Sequence, residues 1–256
     1  MNIPIISVGN IIVGGSGKTP ITIKIANEFK ELKPAVVLRG YKRKSKGLVV
    51  VSDGENILVD VDKSGDEAME IATSCNAIVI VSENREEGIL KAKSMGAGFV
   101  ILDDGFDKPF DKFNIVIDVD IKNRFCLPSG GYRYPRSFLK YADLVLKEGI
   151  DFKRRVVVPN GDILISAISK PNRLLKFWNK EYRFFPDHYD FKEDDLKEFK
   201  DRVIITTKKD YVKLKKFNLN LKVIELDIDI KKEILDKISK AIIKDRDGDK
   251  RAIKRR

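Results

Sequence analysis

The stretch Gly14-Gly15-Ser16-Gly17-Lys18-Thr19 constrains this chain more than any other, because of what flanks it. A β-branched run, Ile3–Val8, precedes it, and a helix candidate, Lys18–Leu32, follows. Strand, glycine-rich loop and helix in that order make a phosphate cradle. Glycines let backbone N–H groups approach oxygens, the lysine reaches the outer phosphates, a hydroxyl reaches a divalent ion, and the helix N-terminus favours anions. The strict pattern wants glycine five places before Gly17, where this chain has Ile12, so the loop is a variant. The plain alternative is a glycine-rich turn with a chance Gly-Lys-Thr; the strand and helix argue against it. The expected nucleotide contacts are Ile12, Val13, Gly14, Gly15, Ser16, Gly17, Lys18 and Thr19, with Lys18 also acting on the transferred group.

Further buried-strand runs lie at Ala35–Leu38, Ala77–Val81, Gly98–Leu102 and Asn114–Val119, alternating with helix candidates at Asp66–Ser74 and Glu83–Ser94. Such alternation predicts an α/β fold: a P-loop NTPase-like, mostly parallel sheet flanked by helices, with a second, smaller α/β domain. Gly47–Val51 and Asn56–Val59 read as a hairpin laid over that sheet. The β/α pattern resumes after Asp151: strands at Arg155–Val158, Asp162–Ile168, Tyr182–Phe185, Val203–Thr206 and Lys222–Ile228, a helix opened by Pro171, and an amphipathic segment Ile230–Ile243. The expected division is 1–150 for the nucleotide-binding domain, 151–245 for a smaller domain closing the cleft, and 246–256 for a basic tail. Among 256 residues, 43% hydrophobic and 35% charged exclude a disordered chain, a collagen-like repeat and a polytopic membrane protein. Two cysteines and one histidine exclude a disulfide framework and a His-rich metal centre. The apolar strand pattern starts at once, leaving no room for a signal peptide, so a cytoplasmic protein is expected.

A P-loop enzyme needs an acid at a strand end for its metal ion. Asp103-Asp104 ends one strand and Asp118 another; paired carboxylates before a glycine make the better platform. In Ser64-Gly65-Asp66-Glu67, Asp66 reads either as a helix cap or as a general base for an attacking hydroxyl. His188, within Phe185-Pro186-Asp187-His188, reads either as a structural hydrogen-bonding residue or as a catalytic one. The basic run Tyr41–Lys46, after Arg39-Gly40, is a solvated loop or a grip on an anionic partner. The net charge of +11 raises nucleic acid as a partner, but no nucleic-acid-binding module accompanies it. A nucleotide switch or metal-insertion chaperone without an acceptor hydroxyl is the alternative function. Thr207-Lys208-Lys209-Asp210 comes uncomfortably near the block by which GTPases read guanine.

Taken together, the blocks resemble the tetraacyldisaccharide 4′-kinase family. Val8-Gly9-Asn10 with Val13–Pro20, Arg39-Gly40-Tyr41, Gly65-Asp66-Glu67, Asp103-Asp104-Gly105-Phe106 and Leu127-Pro128-Ser129-Gly130 with Arg133 and Pro135 occur in the family's order. Ala167-Ile168 with Pro171 and Arg173, Phe185–His188 and Thr207–Asp210 complete it. The resemblance implies ATP and Mg²⁺, with the γ-phosphate passing to the 4′-hydroxyl of an acylated glucosamine disaccharide 1-phosphate in lipid A biosynthesis. It makes Asp66 the base and His188 its orienting partner. Metal contacts are expected from Thr19, Asp103, Asp104 and Glu67, and acceptor contacts from Arg39, Tyr41 and Arg133. An enzyme peripheral on the inner face of the inner membrane follows, with no obligate protein partner evident; the residues available to touch an anionic membrane surface are Lys42–Lys46, the tail from Lys250 to Arg256 and any apolar surface exposed between the domains. Asp107-Lys108 and Tyr134 depart from the family's Gln-His and Glu.

Overall fold

The computed structural model describes the backbone from Ile3 to Ile253 and side-chain burial as far as Ile243, so the tail expected at 246–256 falls outside the described side chains. The first half contains β1 (Ile5–Asn10), α1 (Lys18–Glu28), β2 (Pro34–Leu38), β3 (Val49–Asp53), α2 (Val61–Ser64), α3 (Asp66–Ala72), β4 (Ile78–Val81), α4 (Arg85–Ser94), β5 (Phe99–Asp103), β6 (Phe113–Ile117) and β7 (Leu144–Leu146). The strands form one seven-stranded sheet in the order β3-β4-β2-β5-β1-β6-β7. Every pairing is parallel except β3 with β4. Strands β1, β2, β4 and β5 are buried at every position, as a sheet covered on both faces requires. Because β1 lies between β5 and β6, its phosphate loop emerges beside the ends of both, where open α/β sheets bind ligands.

The hairpin expected over the sheet is not a separate layer. β3 joins the sheet as its antiparallel edge, with Val51 fully buried in the core. Of the returning arm, the Ser52–Ile57 bridge and the bond from Leu58 N–H to the Val51 carbonyl (2.9 Å) are present. Burying Val51 against the main core outweighs a free-standing hairpin, which is marginal alone.

The second half contributes β8 (Phe152–Val157), β9 (Ile163–Ser166), β10 (Glu181–Phe184), β11 (Ile204–Thr206), α5 (Lys208–Leu214), β12 (Leu221–Val223), β13 (Glu225–Ile230) and α6 (Lys232–Ile253). A four-stranded parallel sheet, β10-β9-β11-β12, packs around Ile163, Ile165, Phe191, Leu196, Phe199 and Leu214. The segment after Pro171 forms a 3₁₀ turn, Pro171–Lys176, rather than an α-helix. The strand expected over Lys222–Ile228 divides: β12 ends the small sheet, and β13 pairs antiparallel with β8 in a two-stranded ribbon. That ribbon carries the chain out to the smaller unit and back. On α6, Ile234, Ile238 and Ile242 repeat every four residues and join the large core with Ile21 and Ile25 of α1. The end of the range expected for the smaller unit therefore packs with the larger one. Among the described residues, no helix is long and apolar enough to cross a membrane.

Candidate active site

The phosphate loop makes one wall of the cleft. Gly14 and Gly17 take positive φ angles of 87° and 90°, and Gly17 turns the chain into α1. A Cβ on Gly17 would also collide with the Arg154 guanidinium, whose Nη2 donates to the Ser16 carbonyl at 2.9 Å. Ile12 shows why the strict glycine is dispensable: it is buried and bridged to Tyr132, which anchors the loop from behind. The Val13 amide donates to the Gly131 carbonyl at 2.9 Å and is not free for a phosphate. From Gly14 to Thr19, no described protein acceptor takes the backbone amides, leaving them available to an anion. In its best-satisfied orientation the Asn10 amide donates to the Ile12 carbonyl (3.0 Å). Its oxygen then accepts from Lys18 Nζ (3.3 Å) and Ser16 Oγ (2.6 Å). Lys18 Nζ also lies 3.7 Å from Asp104, which Arg133 meets at 3.3 Å.

Asp103, at the end of β5, is buried, and its Oδ1 has no hydrogen-bond partner. Burial, then the nearby Glu67 carboxylate, pushes its pKa up to about 7 against the opposing pull of Lys18. A buried carboxylate oxygen lacking a donor fits a hard divalent cation. Among the described residues no three acidic, histidine or cysteine side chains converge into a ready-made metal cage, so Thr19, Asp103, Asp104 and Glu67 would supply only part of a coordination shell. The rival acid, Asp118, is engaged elsewhere: its Oδ2 accepts from Arg136 at 2.8 Å and lies 3.7 Å from Lys147.

The facing wall is assembled from distant segments. Asp66 opens α3, and His188 Nδ1 lies 3.0 Å from its Oδ1 across 122 residues of sequence. Lys209 Nζ is 3.0 Å from His188 Nε2. An ammonium has only protons to offer, so Nε2 accepts; Nδ1 therefore bears the ring proton and donates to Asp66. Lys209 also lies 3.9 Å from Asp66, 3.7 Å from Glu67 and 3.6 Å from Asp187, while Lys213 is 3.7 Å from Asp66. Burial alone would raise the Asp66 pKa. The His188 hydrogen bond and the Lys209 and Lys213 charges outweigh it and hold the carboxyl below its ordinary value. His188 Nδ1 lies 3.0 Å from Oδ1 and 2.9 Å from Oδ2, so the imidazole faces both carboxylate oxygens, and Oδ1 also accepts from the Glu67 amide at 3.0 Å. His188 itself sits at a positive φ of 61°, a conformation uncommon for a residue with a side chain, and its amide is tied to the Ala167 carbonyl at 3.1 Å.

The sequence-predicted acceptor contacts separate. Tyr41 packs edge-on against the His188 ring, centroids 5.1 Å apart; Arg133 borders Asp104; Arg39 stands exposed beyond β2. Most of the basic run is not a free cationic patch. Lys42 donates to the Asp187 carbonyl, Arg43 is buried against Glu83 at 2.7 Å, and Lys44 pairs with Asp62 at 2.6 Å. These contacts brace the Asp66 wall. Asp210 is no base reader: it is fully buried and accepts from Ser166 Oγ (2.9 Å), the Ala167 amide (3.0 Å) and Thr207 Oγ1 (2.9 Å). Sequence reasoning missed Lys209, Lys213 and Arg154 as site residues. The first two had a findable signal, since lysines four apart share a helix face. Arg154 had none.

Comparison with known proteins gives a consistent picture. The sequence model of the family described as tetraacyldisaccharide-1-P 4′-kinase matches residues 1–173 and 159–243. The tetraacyldisaccharide 4′-kinase of Aliarcobacter butzleri is 51% identical over 253 residues, covering 91% of this chain and 80% of the relative. Those of Campylobacter jejuni and Helicobacter pylori are 45% and 43% identical, over 92% and 94% of this chain and 80% and 81% of theirs. The crystal structure of LpxK from Aquifex aeolicus in complex with ATP superposes with a TM-score of 0.79 at 28% identity, covering 96% of this chain and 89% of that one.

Proposed function

The chain belongs to the tetraacyldisaccharide-1-P 4′-kinase family, and from that premise we propose which of its residues carry the reaction. It is an ATP-dependent kinase of lipid A biosynthesis that phosphorylates the 4′ position of the acylated glucosamine disaccharide precursor. The observation that carries the residue assignment is the Lys209–His188–Asp66 chain, which orients a carboxylate at the start of α3.

Lys18 and the amides of Gly14 to Thr19 hold the nucleotide's phosphates, and Lys18 neutralises charge on the transferring phosphoryl group. Thr19, Asp103, Asp104 and Glu67 would hold Mg²⁺. When bound, the ion would supply charge neutralisation for the transferring phosphates. The Asp66 carboxylate receives the proton of the 4′-hydroxyl as the hydroxyl oxygen bonds to phosphorus and the bond from phosphorus to ADP breaks. His188 Nδ1–H, within 3.0 Å of both Asp66 oxygens, fixes the carboxylate's aim; Lys209, donating to Nε2, fixes the tautomer. A carboxyl held below its ordinary pKa is ionised at neutral pH, the state a base requires, and a loose phosphoryl-transfer transition state asks for little basicity. Arg39, Tyr41 and Arg133 grip the anionic head of the acceptor. The reaction takes place on the inner face of the inner membrane, where the acylated acceptor resides.

A switch or chaperone without an acceptor would hydrolyse ATP to free phosphate. Labelled ATP with the disaccharide 1-phosphate, resolved by thin-layer chromatography, distinguishes the two. Label in the glycolipid spot, lost in Asp66→Ala, supports the assignment; label only in inorganic phosphate contradicts it.

A further inference from the structure

A small three-segment ladder stands behind the phosphate loop. Ile12 bridges Tyr132 antiparallel, and Tyr132 bridges Cys126 in parallel. Bridged residues point to one side, and these three point into the core with Ile11 and Val116. Their chain neighbours Val13, Phe125 and Leu127 therefore project from the opposite side. Val13 is 43% exposed, Phe125 72% and Leu127 56%. The register sets Phe125 and Val13 on either side of Gly131, which has no side chain to separate them. Isolated exposed apolar residues are ordinary; three on one face of a short ladder make a patch.

The patch is held out firmly. Asn123 Nδ2 donates to the Ser129 carbonyl at 2.9 Å, and its oxygen accepts from the Phe125 amide at 3.0 Å. Gly130 lies so close beneath the Phe125 carbonyl that a Cβ would collide with it. The loop cannot fold its aromatic tip inward without breaking these bonds. Beside the tip stand Lys122 and Arg124, both exposed, opposed locally by Asp120. Apolar side chains flanked by cations are what an anionic bilayer surface accepts: the tips enter the headgroup region and the bases meet lipid phosphates. The position also suits the chemistry, since Val13 leads directly into Gly14 and Arg133 touches Asp104.

We propose that the face formed by Val13, Phe125 and Leu127, with Lys122 and Arg124 beside it, docks the enzyme on the anionic bilayer, setting the phosphate loop at the lipid surface. This rests on the kinase reading above, in which the acceptor is a membrane lipid. It replaces the basic run Lys42–Lys46, largely consumed by internal contacts, as the place where the membrane is met.

The test is co-sedimentation with acceptor-free vesicles of phosphatidylglycerol and phosphatidylethanolamine, compared with phosphatidylcholine alone, using the full chain. Wild type is expected to bind the anionic vesicles, and Phe125→Ser/Leu127→Ser to bind about tenfold or more weakly at equal salt. Lys122→Gln/Arg124→Gln should weaken binding mainly at low salt. Phe125→Trp should shift its emission to the blue on adding anionic vesicles, a readout independent of sedimentation. An unchanged thermal midpoint and unchanged transfer to a detergent-dispersed acceptor in the serine variant separate failure of docking from failure of the kinase reading. Vesicle binding by the serine variant equal to wild type, or no binding by wild type, overturns the proposal. Binding that requires the acceptor would make the patch a seat for its acyl chains. A wild-type dimer that the serine variant dissociates would make it a self-association face. Either result also overturns bilayer docking.

Discussion

The two walls of the cleft are built in opposite ways. The phosphate loop is six contiguous residues whose geometry comes from its own glycines and a helix start. The wall facing it takes Asp66 from α3, His188 from the loop after β10 and Lys209 from α5, and every link between them is a side-chain contact. A contiguous motif survives drift elsewhere in the molecule. An assembled one depends on whatever seats its parts: the Ala167 carbonyl under His188, buried Asp210 tying α5 to β9, and the Arg43–Glu83 pair beside Asp66.

Substitutions should expose that contrast. The largest losses are expected at the chemistry itself. Asp66→Ala should lower turnover by about a hundredfold or more while ATP affinity changes only a few fold, because a base acts in the chemical step. Lys18→Ala should cost a comparable factor in turnover but also weaken ATP binding, as measured by nucleotide titration. If the two variants share one signature, the walls do not divide labour as described. His188→Ala should cost less than Asp66→Ala, roughly ten- to a thousandfold in turnover with an unchanged thermal midpoint; full activity would return His188 to a structural role. Lys209→Met, which removes the proton donor to Nε2 and keeps most of the bulk, should cost about tenfold in turnover and alter the pH–rate profile.

The smallest effect concerns stability. In the folded protein Asp103 holds its proton up to about pH 7, whereas its ordinary value is 3.8. Between those values the folded state binds more protons than the unfolded chain, so this group's contribution to stability falls as pH rises through the window. Asp103→Asn should flatten that decline in metal-free thermal melts between pH 5 and 8. An unchanged slope would mean that Asp103 is ionised throughout. Asp66 behaves oppositely: its depressed pKa favours the folded state at neutral pH, and this contribution is lost only as pH falls into the acid range.

What the sequence disclosed follows the same division. Gly14–Thr19 was readable because its chemistry is local, and five of the large sheet's strands because buried strands read as apolar runs; β3 was expected in a separate hairpin, and β7, three residues long, is too short to announce itself. The Asp66–His188 pairing was reached through family resemblance, since no spacing rule joins positions 122 residues apart. The basic run misled because its partners are tertiary: Glu83 and the Asp187 carbonyl lie far along the chain. The fate of Lys222–Ile228 was hidden for a similar reason. Nothing in an alternating pattern says that a strand must change sheets, and only the need to return to the large core divides it at Ile224. Lys209 was in view within Thr207–Asp210, but its role depends on α5 facing α3.

The central claim is that Asp66 and His188 act as one unit on the acceptor hydroxyl. A double-mutant cycle tests it most directly, with single-turnover rates measured for wild type, Asp66→Ala, His188→Ala and the double variant at saturating ATP. If His188 works only through Asp66, removing it from an enzyme already lacking Asp66 should change the rate by less than about twofold, although it costs tenfold or more in wild type. Losses that multiply in the double variant would mean that the two residues act independently, and would contradict the account.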